Sequence, residues 1–237
     1  MDSGTIKLWQ GDCAATEADY RHYWRILHPT EQQHADTIKS GQLHTRYVEV
    51  HARLRILLAQ AVNTVPEQLR IHKTEYGKPY LVDYPELAFN LSHTANKMVV
   101  AIAHNCDLGV DIELCKTRAN LPALVDKCFA EEERSHWQQL PESQQTQAFY
   151  RFWTRKEAFV KATGRGIALG LKQCVINPEN SNKLLRIPKD YGQVSEWLIQ
   201  DIDLGEPICG ALAAKNKGIN HIARRLDVSW NSLATIA

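Results

Sequence analysis

The sequence predicts an α+β fold, and three observations carry that prediction. Two stretches, one in each half of the chain, repeat apolar residues with helical spacing. Each is followed by strand-like runs, and each half closes on a strand of small apolar residues, Met98 to Ala103 and Ile208 to Ala214. The recurrence reads as a weak internal duplication, with an N-terminal half over 1–106, a C-terminal half over 107–221 and a tail over 222–237. The 237 residues divide into two units of roughly 110, an ordinary domain size.

In chain order, the first helical stripe is Tyr47, Val50, Leu54, Leu57, Leu58 and Ala61, whose steps of 3, 4, 3, 1 and 3 residues define one face. Arg46 and Arg53 fall outside it. The helix is predicted to stop before Pro66, because a residue ahead of proline is pushed away from helical angles. Tyr76-Gly77-Lys78-Pro79 is a turn signal, and Leu87 to Ser92 and Met98 to Ala103 read as a strand pair joined around Thr94-Ala95-Asn96. A strand over Gly109 to Leu114 opens the second half, followed by a helix over Leu121 to Phe129. Glu131-Glu132-Glu133 mark another helix start, since acidic side chains favour the positive N-terminal end. The second long helix is predicted from Gln147 to Thr163, with Gly164 as its left-handed cap. Strands are predicted over Gln173 to Ile176, Trp197 to Asp201 and Ile208 to Ala213, and His221 to Ala237 reads as an appendage.

Composition narrows the function. Lys and Arg number 28 against 27 Asp and Glu, a net charge of +1 that excludes a nucleic-acid packaging protein, which needs a large basic excess. With 44% hydrophobic and 23% charged residues the chain can bury a core. The longest clean apolar run, Met98 to Ala103, is far short of the roughly 18 residues that span a bilayer, and the N-terminus shows no secretory pattern, so no membrane association is expected. Six scattered cysteines with no C-x-x-C pair predict neither a zinc site nor a disulfide framework, and a reducing cytoplasm is the expected location.

Three constellations could carry chemistry. Asp111 and Glu113, two apart on a strand, share one face, and paired carboxylates suit a hard cation such as Mg²⁺; a solvated strand face would show the same alternation. On the second long helix, Phe149, Phe152, Phe159 and Val160 form an apolar stripe with Lys156 near its middle and Glu157 and Lys161 together at its edge. A snorkelling lysine and an i, i+4 ion pair account equally for these three. Between Arg151 and Lys172 stand six Lys or Arg and one Glu, a locally basic segment ending in the turn Gly164-Arg165-Gly166. Ser92 and His93 point to opposite faces of their strand, poor geometry for a nucleophilic relay. With Lys78 they read instead as a phosphate-binding set, or as a surface turn.

Taken together, Gly77-Lys-Pro with Phe89-Asn-Leu-Ser-His, then Gly109-Val-Asp-Ile-Glu, then Trp153-Thr-Arg-Lys-Glu-Ala-Phe-Val-Lys-Ala-Thr-Gly-Arg-Gly resemble the three ordered signature blocks of the Sfp-type 4′-phosphopantetheinyl transferases. The resemblance implies a pseudo-symmetric pair of α/β halves with the active site in the cleft between them. It implies transfer of phosphopantetheine from coenzyme A to a serine of an apo acyl or peptidyl carrier protein, releasing adenosine 3′,5′-bisphosphate. By similarity, Asp111, Glu113 and Glu157 would hold Mg²⁺ and Lys161 would meet the phosphate under attack. Lys156 would bind a phosphate or assist the leaving group. Lys78, Ser92 and His93 would engage the nucleotide, His93 facing the 3′-phosphate, and Arg46 would add a phosphate contact. Glu157, directly or through a metal-bound water, would take the proton of the carrier serine, and a monomer would suffice. Two rivals stand beside this reading: a Mg²⁺-dependent nuclease or phosphodiesterase, and a non-catalytic coenzyme A-binding module.

Overall fold

The computed structural model describes residues 5–180, 182–215 and 221–225. Strand β1 (Thr5–Asp12) leads into helices α1 (Glu17–Ile26) and α2 (Pro29–Asp36), none of which the apolar periodicity had announced. The signal for α1 is polar: Thr16 accepts from the Asp19 backbone N–H while the Asp19 carboxylate accepts from that of Thr16, a reciprocal cap legible as T-x-x-D. Helix α3 (Gly41–Val62) ends on Asn63 in the left-handed region (φ 55°), ahead of Pro66 as expected. The short strands β2 (Ile71–Lys73) and β3 (Pro79–Leu81) flank the Tyr76-Gly77 turn. The predicted pair appears as β4 (Leu87–Thr94) and β5 (Lys97–His104).

The second half runs β6 (Leu108–Leu114), α4 (Leu121–Cys128), α5 (Glu131–Gln139) and α6 (Glu142–Thr163), the last beginning five residues before its expected start. Gly164 caps it at φ 74°. Of the strand expected over Gln173 to Ile176, only β7 (Val175–Ile176) is extended. It pairs with β8 (Leu184–Arg186), and β9 (Trp197–Asp201) and β10 (Ile208–Lys215) follow. β11 (His221–Arg225) lies parallel to β1, so this part of the expected appendage is a sheet strand, and it returns to the first half's sheet. Residues 226–237 of the expected tail lie outside the described residues.

Two sheets organise the chain, in the orders β11-β1-β5-β4 and β6-β10-β9. They face each other through Ile6, Leu8, Val99, Ala101, Val110, Ile112 and Leu212. The opposite faces take the long helices: α3 packs Leu54, Leu57 and Leu58 against Met98, Val100 and Ile102, and α6 packs Phe149, Phe159 and Ala162 against Ala211 and Ala213. The small-residue strands β5 and β10 are therefore buried on both faces, which is why they read as unbroken apolar runs. Among the described residues no helix is long and apolar enough to cross a membrane.

Two arginines of α3, Arg53 and Arg55, are buried and paired. Arg53 meets Glu49 at 2.5 Å and donates to the Asp12 carbonyl, while Glu49 accepts from the Ala14 and Ala15 N–H groups. Arg55 donates to Glu31 and to the Pro66 and Leu69 carbonyls. These pairs tie β1, α2 and the turn after α3 to one helix.

The two sheets also meet along β4 and β6, through side chains. Asn90 Oδ1, Ser92 Oγ and Thr94 Oγ1 accept from the backbone N–H groups of Val110, Ile112 and Leu114 at 2.8, 3.2 and 3.2 Å. Alternate residues of β4 thus satisfy alternate donors of β6, which would otherwise be buried without partners. On its other side, β6 lies so close to α6 that a Cβ at Gly109 would overlap the Ala158 carbonyl and the Ala162 nitrogen. Glycine is required there to seat the helix.

Candidate active site

The β4–β6–α6 junction gathers the acidic residues. Asp111 is buried on β6, its Oδ1 accepting from Lys161 Nζ at 2.8 Å and from Ser92 Oγ at 3.1 Å. Ser92 Oγ in turn accepts from Lys161 Nζ at 3.2 Å. The other Asp111 oxygen, Oδ2, is buried with no partner, and so is Glu157 Oε1 on α6. In a folded protein buried carboxylate oxygens are normally hydrogen-bonded, so two orphans in one place mark a site built for something more.

Electrostatics support that view. Burial, then the charge of Asp111, raises Glu113 above the usual carboxylate range. Burial raises Asp111 as well, although Lys161 opposes it. Glu157 is pushed up to about 7 by burial and by Asp111 and Glu113, with Lys161 acting the other way. Three carboxyls that each resist ionisation, in part because of one another, would be relieved by a cation.

The fit to Mg²⁺ rests on this donor set. The ligands are all oxygen, two of the oxygens are buried and unpartnered, and a hard cation is usually held by one or two carboxylates with phosphate oxygens and waters completing its shell. Among the described residues no group of three or more His, Cys, Asp or Glu side chains is disposed to hold a metal ion by itself, so phosphate oxygens and waters would have to supply part of the shell. Lys161 holds the place a cation would take against Asp111 Oδ1, and it is only 30% exposed.

A cavity of about 410 Å³ opens over this set, walled by His51, Ser92, His93, Asp111, Glu113 and Lys161 among others. It shares Leu91 and Lys161 with a neighbouring groove of about 300 Å³ along Lys73, Tyr76, Lys78 and Gly164. His93 stands at the mouth, its imidazole held below its ordinary range by desolvation and then by the charges of Arg46 and Lys161. The charge of Arg46, on α3, is thus felt at His93. Lys78 lines the groove, with Nζ donating to the Leu108 and Ala162 carbonyls at 3.1 and 2.7 Å, which fastens the start of β6 to the end of α6. Arg165 stacks on Tyr76 at 4.8 Å at the groove's rim.

Lys156 is a correction. Expected at a phosphate, it is fully enclosed and faces away from the cavity walls just described: Nζ donates to the carbonyls of Leu171 and Cys174 and pairs with buried Glu133 Oε2 at 2.7 Å. All three of its protons are used within the protein. Glu133 Oε1 also accepts from the Ile176 N–H, so the pair binds α5, β7 and the chain after α6 together. Of the other eight expected site residues, Ser92, His93, Asp111, Glu113 and Lys161 wall the cavity and Lys78 lines the groove, while Glu157 lies on α6 one turn before Lys161 and Arg46 lies on α3. Sequence reasoning missed Asn90, Thr94, Glu133 and His51. The alternation of polar residues at 90, 92 and 94 was a usable signal; nothing local marks Glu133.

Comparison with known proteins identifies the family. Residues 107–213 match the 4′-phosphopantetheinyl transferase superfamily. A Synechocystis sp. protein is 33% identical over 177 residues, 74% of this chain and 71% of its own. The 4′-phosphopantetheinyl transferase HetI of Nostoc sp. is 33% identical over 190 residues, 72% of this chain and 80% of its own. A 4′-phosphopantetheinyl transferase of Bacillus subtilis is 35% identical over 161 residues, 67% and 64% of the two chains. The protein is a transferase, and it belongs to the 4′-phosphopantetheinyl transferase superfamily.

Proposed function

We propose that the protein transfers the 4′-phosphopantetheine group of coenzyme A to a serine hydroxyl of an apo acyl or peptidyl carrier protein, with Mg²⁺, leaving adenosine 3′,5′-bisphosphate. The observation that carries the reading is the pair of buried, unpartnered carboxylate oxygens on Asp111 and Glu157, with Asp111 and Lys161 in the wall of a cavity that shares Lys161 with a lysine-lined groove. The cleft lies where the two α/β halves meet, and one chain supplies both walls.

Asp111, Glu113 and Glu157 would hold Mg²⁺, which supplies charge neutralisation on pyrophosphate oxygens. The protein's own groups do the rest. The cavity and groove together receive the nucleotide end of coenzyme A, with Ser92 and His93 on the cavity wall, Lys78 along the groove and Arg46 as a further phosphate contact. Lys161 turns from Asp111 to an oxygen of the phosphate under attack and stabilises the charge that develops there. Glu157, whose basicity is raised toward neutral pH, accepts the serine proton as the hydroxyl oxygen bonds to phosphorus. Holding the hydroxyl in line with the departing bisphosphate accounts for much of the rate, since phosphoryl transfer depends on positioning and electrostatics.

The test is direct. The protein is incubated with coenzyme A, Mg²⁺ and several apo carrier proteins, and each carrier is weighed intact. A gain of roughly 340 Da, the mass of the transferred group, is the expected result. Unmodified carriers throughout would sink the proposal.

A further inference from the structure

Two of the six cysteines are placed as a pair beside the site. Cys115 follows the last residue of β6, its N–H donating to the Pro207 carbonyl at 2.8 Å. Cys209 lies on β10 directly opposite Glu113 in the antiparallel register. Residues two apart on a strand share a face, as do residues opposite each other across the ladder, so both sulfurs and the Glu113 carboxylate project to the same side. The result is a Cys115 Sγ to Cys209 Sγ separation of 2.9 Å, with both thiols free. Cys209 is buried and Cys115 half-buried, so Cys115 is the more accessible residue of the pair.

We infer that Cys115 and Cys209 are an oxidation site that closes to an intrachain disulfide when the chain meets a low-molecular-weight disulfide. The Cys115 sulfur, as thiolate, attacks one sulfur of the reagent, forming a mixed disulfide and releasing one thiol. Cys209 then attacks the Cys115 sulfur, and its proton leaves with the second released thiol. Two protein thiols are oxidised and one reagent disulfide is reduced to two thiols, so atoms and electrons balance. The sulfurs need to close by less than about 1 Å to reach bonding distance, a movement available to a chain end leaving a strand. That movement occurs two residues from Glu113 and across the ladder from it, which links the thiol state to the carboxylate site. The link rests on the transferase reading; the disulfide does not.

The full-length protein, freshly reduced, is exposed to glutathione disulfide, and its intact mass and non-reducing peptide map are recorded. The expected result is a loss of about 2 Da, a cross-linked peptide joining Cys115 to Cys209, and reversal by dithiothreitol. Cys209→Ala is expected to stop at the mixed disulfide on Cys115. Glutathione that stays attached to wild-type Cys115, or a bond joining other cysteines, overturns the inference. Oxidised and reduced protein are then compared in the carrier assay. A transfer rate reduced at least about tenfold by oxidation, and insensitive to it in Cys115→Ser, supports the link to Glu113; equal rates overturn that link. A reduced protein without transfer counts against the transferase reading, while the mass measurement decides the thiol pair by itself.

Discussion

At the scale of single residues, the chain spends its buried charges in two ways. Lys156 and Glu133 are closed on each other, whereas Asp111 and Glu157 keep an oxygen each without a partner. Removing one member of the closed pair strands the other. Lys156→Met should therefore lower stability by about 3–5 kcal/mol in urea unfolding, and Lys156→Met with Glu133→Gln should lose clearly less. The open pair behaves oppositely. The folded protein binds a proton at Glu157 more tightly than the unfolded chain does, its value rising from 4.5 to about 7. Its contribution to stability is thus full below the unfolded value and is lost as pH rises through the folded one. Glu157→Gln should match wild type below about pH 4. Near about pH 8 without metal it should be more stable by about 1–2 kcal/mol, a melting difference of about 2–8 °C, discounted because the side chain is partly open. In the carrier assay the same variant should lose about 100-fold in turnover at saturating Mg²⁺; near-normal turnover would remove Glu157 as the base.

At the scale of elements, the site depends on how closely α6 lies on β6 and how β4 is stitched to it. Gly109 permits the first, and Asn90, Ser92 and Thr94 provide the second. In Gly109→Ala, an added methyl meets backbone rather than a flexible side chain, so the helix must move. Overpacking of this kind costs about 1–3 kcal/mol, and the shift carries Glu157 and Lys161 with it. Transfer by this variant should fall by more than its stability loss explains, measured well below its melting temperature. The glycine and the alternating polar residues were visible as letters, and so were the long helices and the small-residue strands. Their meaning as a contact between two elements was not, because nothing in Gly109 says which backbone approaches it.

At the scale of the whole molecule, the chain does not divide cleanly after residue 221. β11 pairs with β1 in parallel register from Thr5 opposite His221 to Trp9 opposite Arg225, so the last described strand closes on the first sheet. A chain ending at residue 220 would expose the β1 edge and forfeit that ladder. It should melt several degrees lower, with roughly 2–4 °C lost for each kcal/mol, read by calorimetry against full length. An unchanged melting temperature would show that the ladder adds nothing.

What the sequence determined by itself is local. Apolar spacing set both long helices, alternation put Asp111 and Glu113 on one face, and a one-turn offset placed Glu157 beside Lys161. The same wheel put Lys156 in the middle of an apolar stripe, and there it is. Only the tertiary structure decided what a buried charge meets. Lys156 could have reached a ligand or another side chain, and the choice of Glu133 depends on where α5 packs. Likewise Ser92, 19 residues from Asp111, and Cys209, 94 from Cys115, become neighbours through the placement of separate strands. Periodicity reports which side of an element is buried; the partner waiting there is fixed by the packing of segments distant along the chain.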